Sequence, residues 1–524
     1  MSKELDKAKL VKGTSWERKD PLDNIGVSSY TLLKDAIREE KKELAKDLSD
    51  YIYFWETKFA RDIGFDLACG FPEFVRVHYG EYAEYEYQKE AMTRGRGWHL
   101  PFTEKPVLKK REQSPYEYTM GYARNMVKLH RMGRNEGVGG FTIEEYPDRY
   151  EFVWDPCYSG GRPLRGDPIA GTPPRTGPPY NYSGNIAPHP WTWGRTGVSG
   201  FCIHCGFIHN IADVEQRGYL QWITGYPEHP FEPCRYIAYK DVDWIPEEYY
   251  TRIGKAKPKV TSKAPEPKDV NKLIRVTHSD ELGPDFVSTL TVLKKAIDSG
   301  KKEEALKLVD QIQIEMGGMG GGGRPTWHWA WVDLIVDKHG YNELYHALRW
   351  IYSPYNPPPA PNEPRPNKVT IPSAEERARK AAFWGRSFRS GPNAEGSVRI
   401  IDEPDRIVMK LEPCGLLGRS LTRIDAERGP LTGPPWNLGV TKVSHPVAWG
   451  KVGIPHYCAA HCVHIDTAAV ARSGYLTEIV ERPENATDPN CRLFFYKELD
   501  DIPEKYYTRI GSKKPARQRR KRSG

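Results

Sequence analysis

Hydrophobic side chains recur at helical intervals near the start of the chain. In residues 28–59 the positions that define this spacing are Leu33, Ile37, Leu44, Leu48, Ile52, Trp55 and Phe59. Such spacing is typical of the buried face of a helix, and Ser28 stands where a hydroxyl can cap the first turn. The pattern predicts a helical segment here and a second one over residues 73–92.

The period of the pattern changes further along the chain. A short helical pattern precedes residues 141–157, "FTIEEYPDRYEFVWDPC", in which apolar and polar residues alternate around a Pro-Asp turn. Alternation on both sides of turn residues predicts a β-hairpin. Helices followed by short strands predict an α+β fold.

The sequence also repeats itself. Residues 245–254, "IPEEYYTRIG", recur as "IPEKYYTRIG" at residues 502–511. In the same order, "HPWTWGRTGV" matches "HPVAWGKVGI" and "YPDRYEFVWDPC" matches "EPDRIVMKLEPC", with offsets of about 256–260 residues. We therefore predict a tandem duplication of one unit, composed of a helical front part and a back part with a β-hairpin and a Cys-rich zinc-binding region.

The repeat sets the expected domain organisation. A Lys/Pro-rich stretch between the two matching regions is typical of an extended linker. The predicted parts are an N-terminal arm at 1–27, a first copy at 28–254, the linker at 255–282, a second copy at 283–511 and a basic tail at 512–524.

Eight of the nine cysteines fall at matching places in the two copies, and Cys69 is the exception. The first copy holds Cys157, Cys202, Cys205 and Cys234, and the second holds Cys414, Cys458, Cys462 and Cys491, with His461 beside Cys462. A Cys-x-x-Cys turn and two further cysteines can complete a tetrahedral zinc shell. The sequence predicts Zn²⁺ in at least one copy and allows two sites; buried structural thiols, a redox dithiol and an iron–sulfur cluster are the alternatives.

Four protein ligands would make a closed, structural zinc site. In the collinear register His461 takes the place of Cys205, and Cys462 takes the place of Gly206. If both His461 and Cys462 stayed off the metal, three ligands would remain, and a water could bind the open position. The second copy therefore admits either a structural or a catalytic zinc.

Most of the net positive charge of the chain lies at its C-terminus. The net charge is +8, and seven basic residues lie in the tail, so +1 remains for the rest of the chain. Such a basic run is typical of a solvated, disordered end, and binding of nucleic acid through this tail is the alternative. The sequence has no long apolar run and no signal-peptide pattern, so we expect a cytoplasmic protein without membrane association.

The copies differ most at "MGGMGGGGRPTWHWAWVDL", which only the second contains. Consecutive glycines let a backbone approach a ligand, and Trp327, Trp329 and Trp331 place ring surface beside His328 and Asp333. This predicts an aromatic-lined pocket with His328 as general acid or base. The alternative is a turn leading into a buried aromatic helix. The segment lacks the ending of a nucleotide-binding P-loop, which argues against ATP.

Two further pairs of residues are candidates. Arg162 and Arg419 follow the hairpin cysteines near glycines, where a guanidinium can bind a carboxylate or phosphate or pair with a structural Asp. His189 and His445 precede proline in both copies, and a packed, hydrogen-bonded role is the alternative to catalysis.

Taken together, these features predict a zinc-containing enzyme of hydrolase or lyase type acting on a small aromatic or carboxylated molecule. The predicted catalytic residues are His328, Asp333, Arg419 and His445, with Arg162 and the three tryptophans binding substrate. NAD chemistry is disfavoured because no strand-linked Gly-x-Gly-x-x-Gly occurs. The alternative is a non-enzymatic, zinc-stabilised protein that binds nucleic acid or a protein partner.

Overall fold

The structure is a computed structural model of the chain. It describes residues 3–13, 16–96, 114–117, 119–121, 123, 140–155, 157, 164, 166, 173–227, 232–259, 265, 267–279, 281–283, 286–317, 324–352, 371–387, 397–414, 432–433, 437–459, 462–483, 488 and 490–516. None of the helices in these ranges is long and apolar enough to cross a membrane.

The chain forms two compact units. Unit 1 comprises Met1–Gly64, Arg94–Gly97 and Gly300–Gly524, and unit 2 comprises Phe65–Thr93 and Trp98–Ser299. These units do not follow the limits of the predicted copies, because the first helices of the chain belong to the same unit as residues 300–524.

Helices make up most of the regular structure. In chain order they are α1 (Lys3–Lys7), α2 (Ser29–Arg38), α3 (Lys42–Asp50), α4 (Thr57–Tyr79), α5 (Glu81–Arg96), α6 (Gly200–Gly206), α7 (Ala212–Arg217), α8 (Glu247–Thr251), α9 (Thr289–Asp298), α10 (Lys302–Gly317), α11 (Arg324–His339), α12 (Tyr341–Ile351), α13 (Ala374–Ser387), α14 (Ala468–Ser473) and α15 (Glu504–Thr508). The predicted first helical segment is divided into α2 and α3 by a turn at Glu40, whose φ is 58°.

The strands are short and pair antiparallel. They are β1 (Leu10–Val11), β2 (Glu17–Arg18), β3 (Gly140–Glu145), β4 (Arg149–Asp155), β5 (Ile223–Gly225), β6 (Cys234–Tyr239), β7 (Arg275–His278), β8 (Ser397–Asp402), β9 (Arg406–Glu412), β10 (Ile479–Glu481) and β11 (Cys491–Tyr496). Helices and antiparallel sheets thus combine as expected for the α+β class, and the two predicted hairpins, β3–β4 and β8–β9, are confirmed.

Unit 1 contains a four-stranded sheet in the order β10-β11-β9-β8. Helix α13 packs on this sheet and buries small side chains that let it approach closely. Ala378 and Ala382 are 0% exposed, and Val398 and Met409 of the sheet belong to the same core. Burial of this apolar face supplies the main stabilisation of the layer.

The first residues of the chain attach to α13 through a buried ion pair. Arg386 and Glu56 are nearly inaccessible, and Arg386 Nε lies 2.6 Å from Glu56 Oε1. The guanidinium also donates to the Tyr51 hydroxyl at 3.2 Å and to the Ile25 carbonyl. Removing one partner of a buried ion pair is strongly destabilising, so this cluster ties the N-terminal helices to α13.

Unit 2 contains a five-stranded sheet in the order β5-β6-β4-β3-β7. Strand β7 lies in the predicted linker and pairs with β3 as the edge strand. The core of this unit is largely aromatic, with Phe152, Trp154 and Trp222 each at most 1% exposed. Apart from β7, the order of the strands along the chain and in space is the same as in unit 1.

The repeated decapeptide has a structural role in unit 2. The Tyr250 hydroxyl accepts a hydrogen bond from Leu220 N at 3.3 Å, and Arg252 Nη2 donates to the Thr224 carbonyl at 2.9 Å. Gly254, at the end of the decapeptide, has a φ of 68°. Residues with a side chain rarely adopt this backbone conformation. The decapeptide therefore secures the turn before β5 and the middle of that strand.

The second decapeptide makes the same contacts in unit 1. The Tyr507 hydroxyl accepts from Leu476 N at 3.3 Å, and Arg509 Nη2 donates to the Val480 carbonyl at 2.6 Å. Gly511 has a φ of 72°. The tyrosine and the arginine that both decapeptides contain thus hold a short strand in place in each unit.

We expect Arg386→Met to lower the free energy of unfolding by about 3–5 kcal/mol, because it leaves the buried Glu56 carboxylate without its partner. Chemical denaturation followed by circular dichroism measures this. Arg399→Met is the control, because Arg399 and Glu412 form an exposed pair and such pairs contribute less than about 1 kcal/mol. Equal losses in both variants would contradict the buried-anchor role.

Asp466 makes the stability of unit 1 depend on pH. It is 0% exposed, and burial raises its pKa from 3.8 to about 7 despite bonds from Trp449 and Arg509. Between these values the folded protein binds a proton that the unfolded chain releases, so stability falls as pH rises from about 4 to about 7. The corresponding residue of unit 2 is Asn210, an uncharged amide that donates to Thr224 Oγ1 at 2.6 Å.

The free energy of unfolding of the wild-type protein should fall by up to ~4 kcal/mol between pH 4 and pH 7 because of Asp466. We therefore expect Asp466→Asn to abolish this pH-dependent decrease. Urea denaturation at a series of pH values measures the slope in each variant. Asp337→Asn, a change at an exposed carboxylate, should leave the wild-type slope intact. An unaltered slope in the Asp466 variant would show that another group titrates.

Candidate functional site

The aromatic segment that the sequence singled out forms helix α11. Trp329 and Trp331 are 0% exposed, Trp327 is 6% exposed and His328 is 1% exposed. The ring of His328 stacks at 6.4 Å from that of Tyr457. These side chains pack inside unit 1, so they support the neighbouring groups and do not present an open aromatic pocket in this conformation.

Asp333, on the same helix, is the centre of a polar cluster. Its Oδ2 accepts a hydrogen bond from Gly439 N at 2.6 Å, and its Oδ1 lies 2.8 Å from His456 Nδ1. Both side chains are about 3% exposed. Burial raises the pKa of Asp333, while the bond from His456 opposes that rise. The carboxylate therefore orients the imidazole and leaves its Nε2 pointing away.

The backbone at Gly439 fits tightly between these two side chains. Its carbonyl accepts from Trp329 Nε1 at 3.0 Å and from His456 N at 3.1 Å. A Cβ at this position would lie 2.7 Å from His456 Nδ1 and 2.9 Å from Asp333 Oδ1. Only glycine allows this approach without moving the pair.

Tyr341 extends the hydrogen-bonded cluster towards the surface. Its hydroxyl lies 3.3 Å from His456 Nε2 and accepts a hydrogen bond from Lys442 N at 3.0 Å. Tyr341 is half-buried and begins α12, whereas Lys442 is exposed. Asp333, His456 and Tyr341 thus form a continuous hydrogen-bonded chain from the interior to a partly exposed phenol.

His445 lies beside the outer end of this chain. Its ring centroid is 5.3 Å from that of Tyr341. Its Nδ1 accepts from Val447 N at 3.2 Å, and its Nε2 lies 3.2 Å from Asn342 Oδ1. Partial burial lowers its pKa, which favours the neutral ring. Both nitrogens therefore have structural partners, and the ring forms one wall next to the phenol.

Of the predicted catalytic residues, Asp333 lies at the buried end of the cluster and His445 lies beside its outer end. His328 takes no part in the hydrogen bonds described above for this cluster. Arg162 and Arg419 lie outside the described residues, as does His461. Sequence reasoning missed His456 and Tyr341. The sequence feature that could have indicated them is a difference between the two copies: His456 stands where the first copy has Gly200, and Tyr341 stands where it has Glu81.

The corresponding part of unit 2 has different side chains and different hydrogen bonds. Glu73, which corresponds to Asp333, accepts from Ser183 N at 2.8 Å, and Ser183 Oγ accepts from Arg76 at 2.7 Å. A Cβ at Gly200 would collide with the Glu84 carboxylate. A histidine cannot occupy that place, so the Asp–His–Tyr arrangement is confined to unit 1 among the described residues.

Four of the cysteines of unit 2, Cys157, Cys202, Cys205 and Cys234, lie near one another, and Cys69 is a further neighbour of Cys202. A side-chain hydrogen bond with Cys157, together with burial, raises the pKa of the Cys234 thiol. Burial and the neighbouring Cys205 and Cys157 raise the pKa of Cys202. Cys205 Sγ also lies 3.4 Å from the Tyr236 hydroxyl. Four thiols therefore share one environment at the end of the β3–β4 hairpin.

Three cysteines of unit 1 are similarly placed. Burial raises the pKa of Cys458 to about 12, with Arg482 opposing and Cys414 adding to the rise, and Cys491 has the same neighbours. Cys462 faces elsewhere: its Sγ donates to the Pro446 carbonyl at 3.3 Å. Its charged neighbours are Asp466 and Arg509.

The thiols of unit 2 fit the ligand chemistry of Zn²⁺ in their number and softness. Within the described ranges, however, no three His, Cys, Asp or Glu side chains converge closely enough to hold a metal ion in this arrangement. Binding would require the thiols to turn towards one another.

Comparisons with protein-family models, with curated proteins and with solved structures found no match to this chain.

We expect Gly439→Ala to separate Asp333 from His456, because the added methyl group would overlap both. Long-range ¹H–¹⁵N spectra of the histidine rings measure this, and the Nδ1–H signal of His456 should be lost or shifted. Gly121→Ala is the control, since a Cβ there meets no described atom within 4 Å. An unperturbed His456 signal in the Gly439 variant would contradict the tight fit.

Proposed function

We propose that the protein is an enzyme of hydrolase or lyase type that acts on a small molecule by proton transfer at Tyr341 and His456. The observation that carries this proposal is the hydrogen-bonded chain from the buried Asp333 carboxylate, through His456, to the half-buried Tyr341 hydroxyl. A carboxylate behind an imidazole sets its tautomer and stabilises the imidazolium that forms on protonation.

The proposed step moves two protons along this chain. Tyr341 oxygen takes a proton from the substrate or from an attacking water, while its own proton passes to His456 Nε2. Asp333 holds Nδ1–H and stabilises the resulting imidazolium. The Lys442 backbone N–H donates to the same phenol oxygen and stabilises negative charge that develops there. In hydrolysis, the water that loses its proton attacks an ester or amide carbonyl, the bond to the leaving group breaks, and the proton on His456 returns through Tyr341 to the leaving group. In elimination, the carbon that loses its proton forms a double bond as the leaving group departs from the adjacent carbon, and the same proton is returned to that group.

The surroundings of Tyr341 favour an aromatic or carboxylated substrate. The rings of Tyr341 and His445 provide adjacent aromatic surface, and rings attract other rings at such distances. Lys442, whose backbone N–H donates to the phenol, is exposed, and its ammonium group would suit a carboxylated substrate. The buried tryptophans of α11 would act indirectly by holding the Gly439 backbone.

We also propose that Cys157, Cys202, Cys205 and Cys234 of unit 2 bind a structural zinc ion. Zinc would cross-link the end of the hairpin to α6, and four thiolates would leave it no open position for substrate. A tandem duplication remains our proposal for the origin of the chain. It is supported by the common strand order and by the two sets of decapeptide contacts.

We expect His456→Gln and Tyr341→Phe each to reduce turnover by about 100-fold or more, which is the usual contribution of a general acid or base. The full chain is incubated with a panel of aromatic and carboxylated esters, amides and hydroxy acids, and consumption is followed by mass spectrometry.

His346→Gln is the matched control, because His346 is an exposed histidine of unit 1 beside Glu343. It should leave turnover unchanged. No turnover of the panel by the wild-type chain, or equal turnover by all variants, would contradict the proposed site.

A further inference from the structure

The outermost strand of the unit 2 sheet comes from the predicted linker. β7 pairs with β3 and ends the sheet in the order β5-β6-β4-β3-β7. A strand at the edge of a sheet has backbone N–H and C=O groups on its outer side that no neighbouring strand satisfies. Within the described ranges, no further strand pairs with β7 on that side. β7 can therefore accept a sixth strand through main-chain hydrogen bonds.

The sheet of unit 1 has no described strand at the place of β7. It ends at β8, and the N-terminal segment packs there, because a Cβ on Gly26 would overlap the Val398 carbonyl. Ile25 and Val398 also belong to one core cluster. The additional edge strand is thus a feature of unit 2 that the internal repeat does not account for.

Two aliphatic side chains are exposed immediately before β7. Leu273 is 46% exposed and Ile274 is 56% exposed. The Ile274 N–H donates to the Glu145 carbonyl at 2.8 Å, so the backbone here is already attached to β3. Adjacent aliphatic side chains on a free sheet edge are typical of a surface that contacts another chain.

Basic side chains stand on both sides of this aliphatic pair. Lys272 and Arg275 are exposed, and neither forms an ion pair in the part of the chain that the structure describes. Glu145, which stands opposite Arg275 in the sheet, pairs instead with Lys240 at 2.9 Å. The edge therefore has an apolar centre and an uncompensated positive charge on each side of it.

These charges distinguish between the possible occupants. Residues 272–278 contain no acidic side chain, so two copies of this strand side by side would bring only basic groups together, which is unfavourable. An acidic strand would gain attraction at the same positions. β3 shows the match on the inner side, since its sequence is GFTIEE and Glu145 stands opposite Arg275. Nucleic acid would pair with the cations but leave the aliphatic side chains and the main-chain groups unmatched.

We propose that the outer edge of β7 binds an extended, acidic segment of a partner protein, which joins the unit 2 sheet as a sixth strand. Main-chain hydrogen bonds to β7 hold the segment. Leu273 and Ile274 contact its apolar side chains, and Lys272 and Arg275 pair with its carboxylates. This docking surface is independent of the proposed enzyme site and of the proposed zinc ion.

The test uses the full chain and two fluorescein-labelled peptides. One has the sequence of β3, GFTIEE, and the other has lysine in place of both glutamates. By fluorescence anisotropy, we expect the acidic peptide to bind and the lysine peptide to bind at least about tenfold more weakly, because its charges repel those of the edge. Hydrogen exchange should show that the bound peptide protects the amides of β7 and leaves those of β3 unchanged.

Two variants locate the binding to this edge. Lys272→Glu and Ile274→Thr should each weaken binding of the acidic peptide about fivefold, through the lost charge pair or the lost apolar contact. Lys272→Glu should also strengthen binding of the lysine peptide, a gain that an unfolded variant would not show. Ile186→Thr is the control, because Ile186 is 82% exposed elsewhere in unit 2, and it should bind as the wild type does.

Equal binding of both peptides, or no binding of the acidic peptide at millimolar concentration, would overturn the proposal. So would an affinity for the acidic peptide that is the same in the wild type, Lys272→Glu and Ile274→Thr. A labelled single-stranded DNA that binds the wild type and is weakened by Lys272→Glu, without any binding of the peptides, would assign this edge to nucleic acid instead.

Discussion

The candidate site depends on the burial of a single carboxylate. Asp333 lies on a helix whose other side chains are packed in the core, and a charged or polar group there must be fully hydrogen-bonded. One oxygen binds the backbone of Gly439 and the other binds His456. These two bonds tie the loop at 437–456 to α11, so the position of the imidazole follows from the need to satisfy the carboxylate.

The aromatic helix around Asp333 contributes rigidity. Trp329 donates its indole N–H to the Gly439 carbonyl, while the N–H of the same residue donates to the Asp333 carboxylate. The two peptide units on either side of the Gly439 Cα are thus each held by a side chain of one helix, which limits their rotation. The absence of a side chain at Gly439 then lets the imidazole approach within hydrogen-bonding distance, and Tyr341 is left as the outward neighbour of the ring.

The two units combine shared contacts with different side chains at corresponding positions. The backbone bonds made by Tyr250 and by Tyr507 are the same, which keeps the strands in place. Within this common frame, His456 corresponds to Gly200, and Asp466 to Asn210. Each exchange alters charge or hydrogen bonding in a buried space, where such changes have large effects because water cannot compensate.

The sequence by itself determined the local elements and their repetition. Alternation around Pro-Asp turns predicted the two hairpins, and the repeated decapeptides marked residues that secure β5 and β10. The sequence did not show the turn at Glu40, because local conformations with positive φ leave little trace in hydrophobic spacing. Nor did it show that residues 1–64 join residues 300–524 in one unit, which depends on buried contacts such as that of Arg386 with Glu56.

For the candidate site, the sequence identified Asp333, His445 and the cysteines by residue type. Only the tertiary structure decided that His456 and Tyr341 complete the hydrogen-bonded chain that begins at Asp333. The reason is physical: hydrogen bonds and charges act over a few ångströms in space, and Asp333 and His456 are 123 positions apart in the chain. Folding alone brings such residues together.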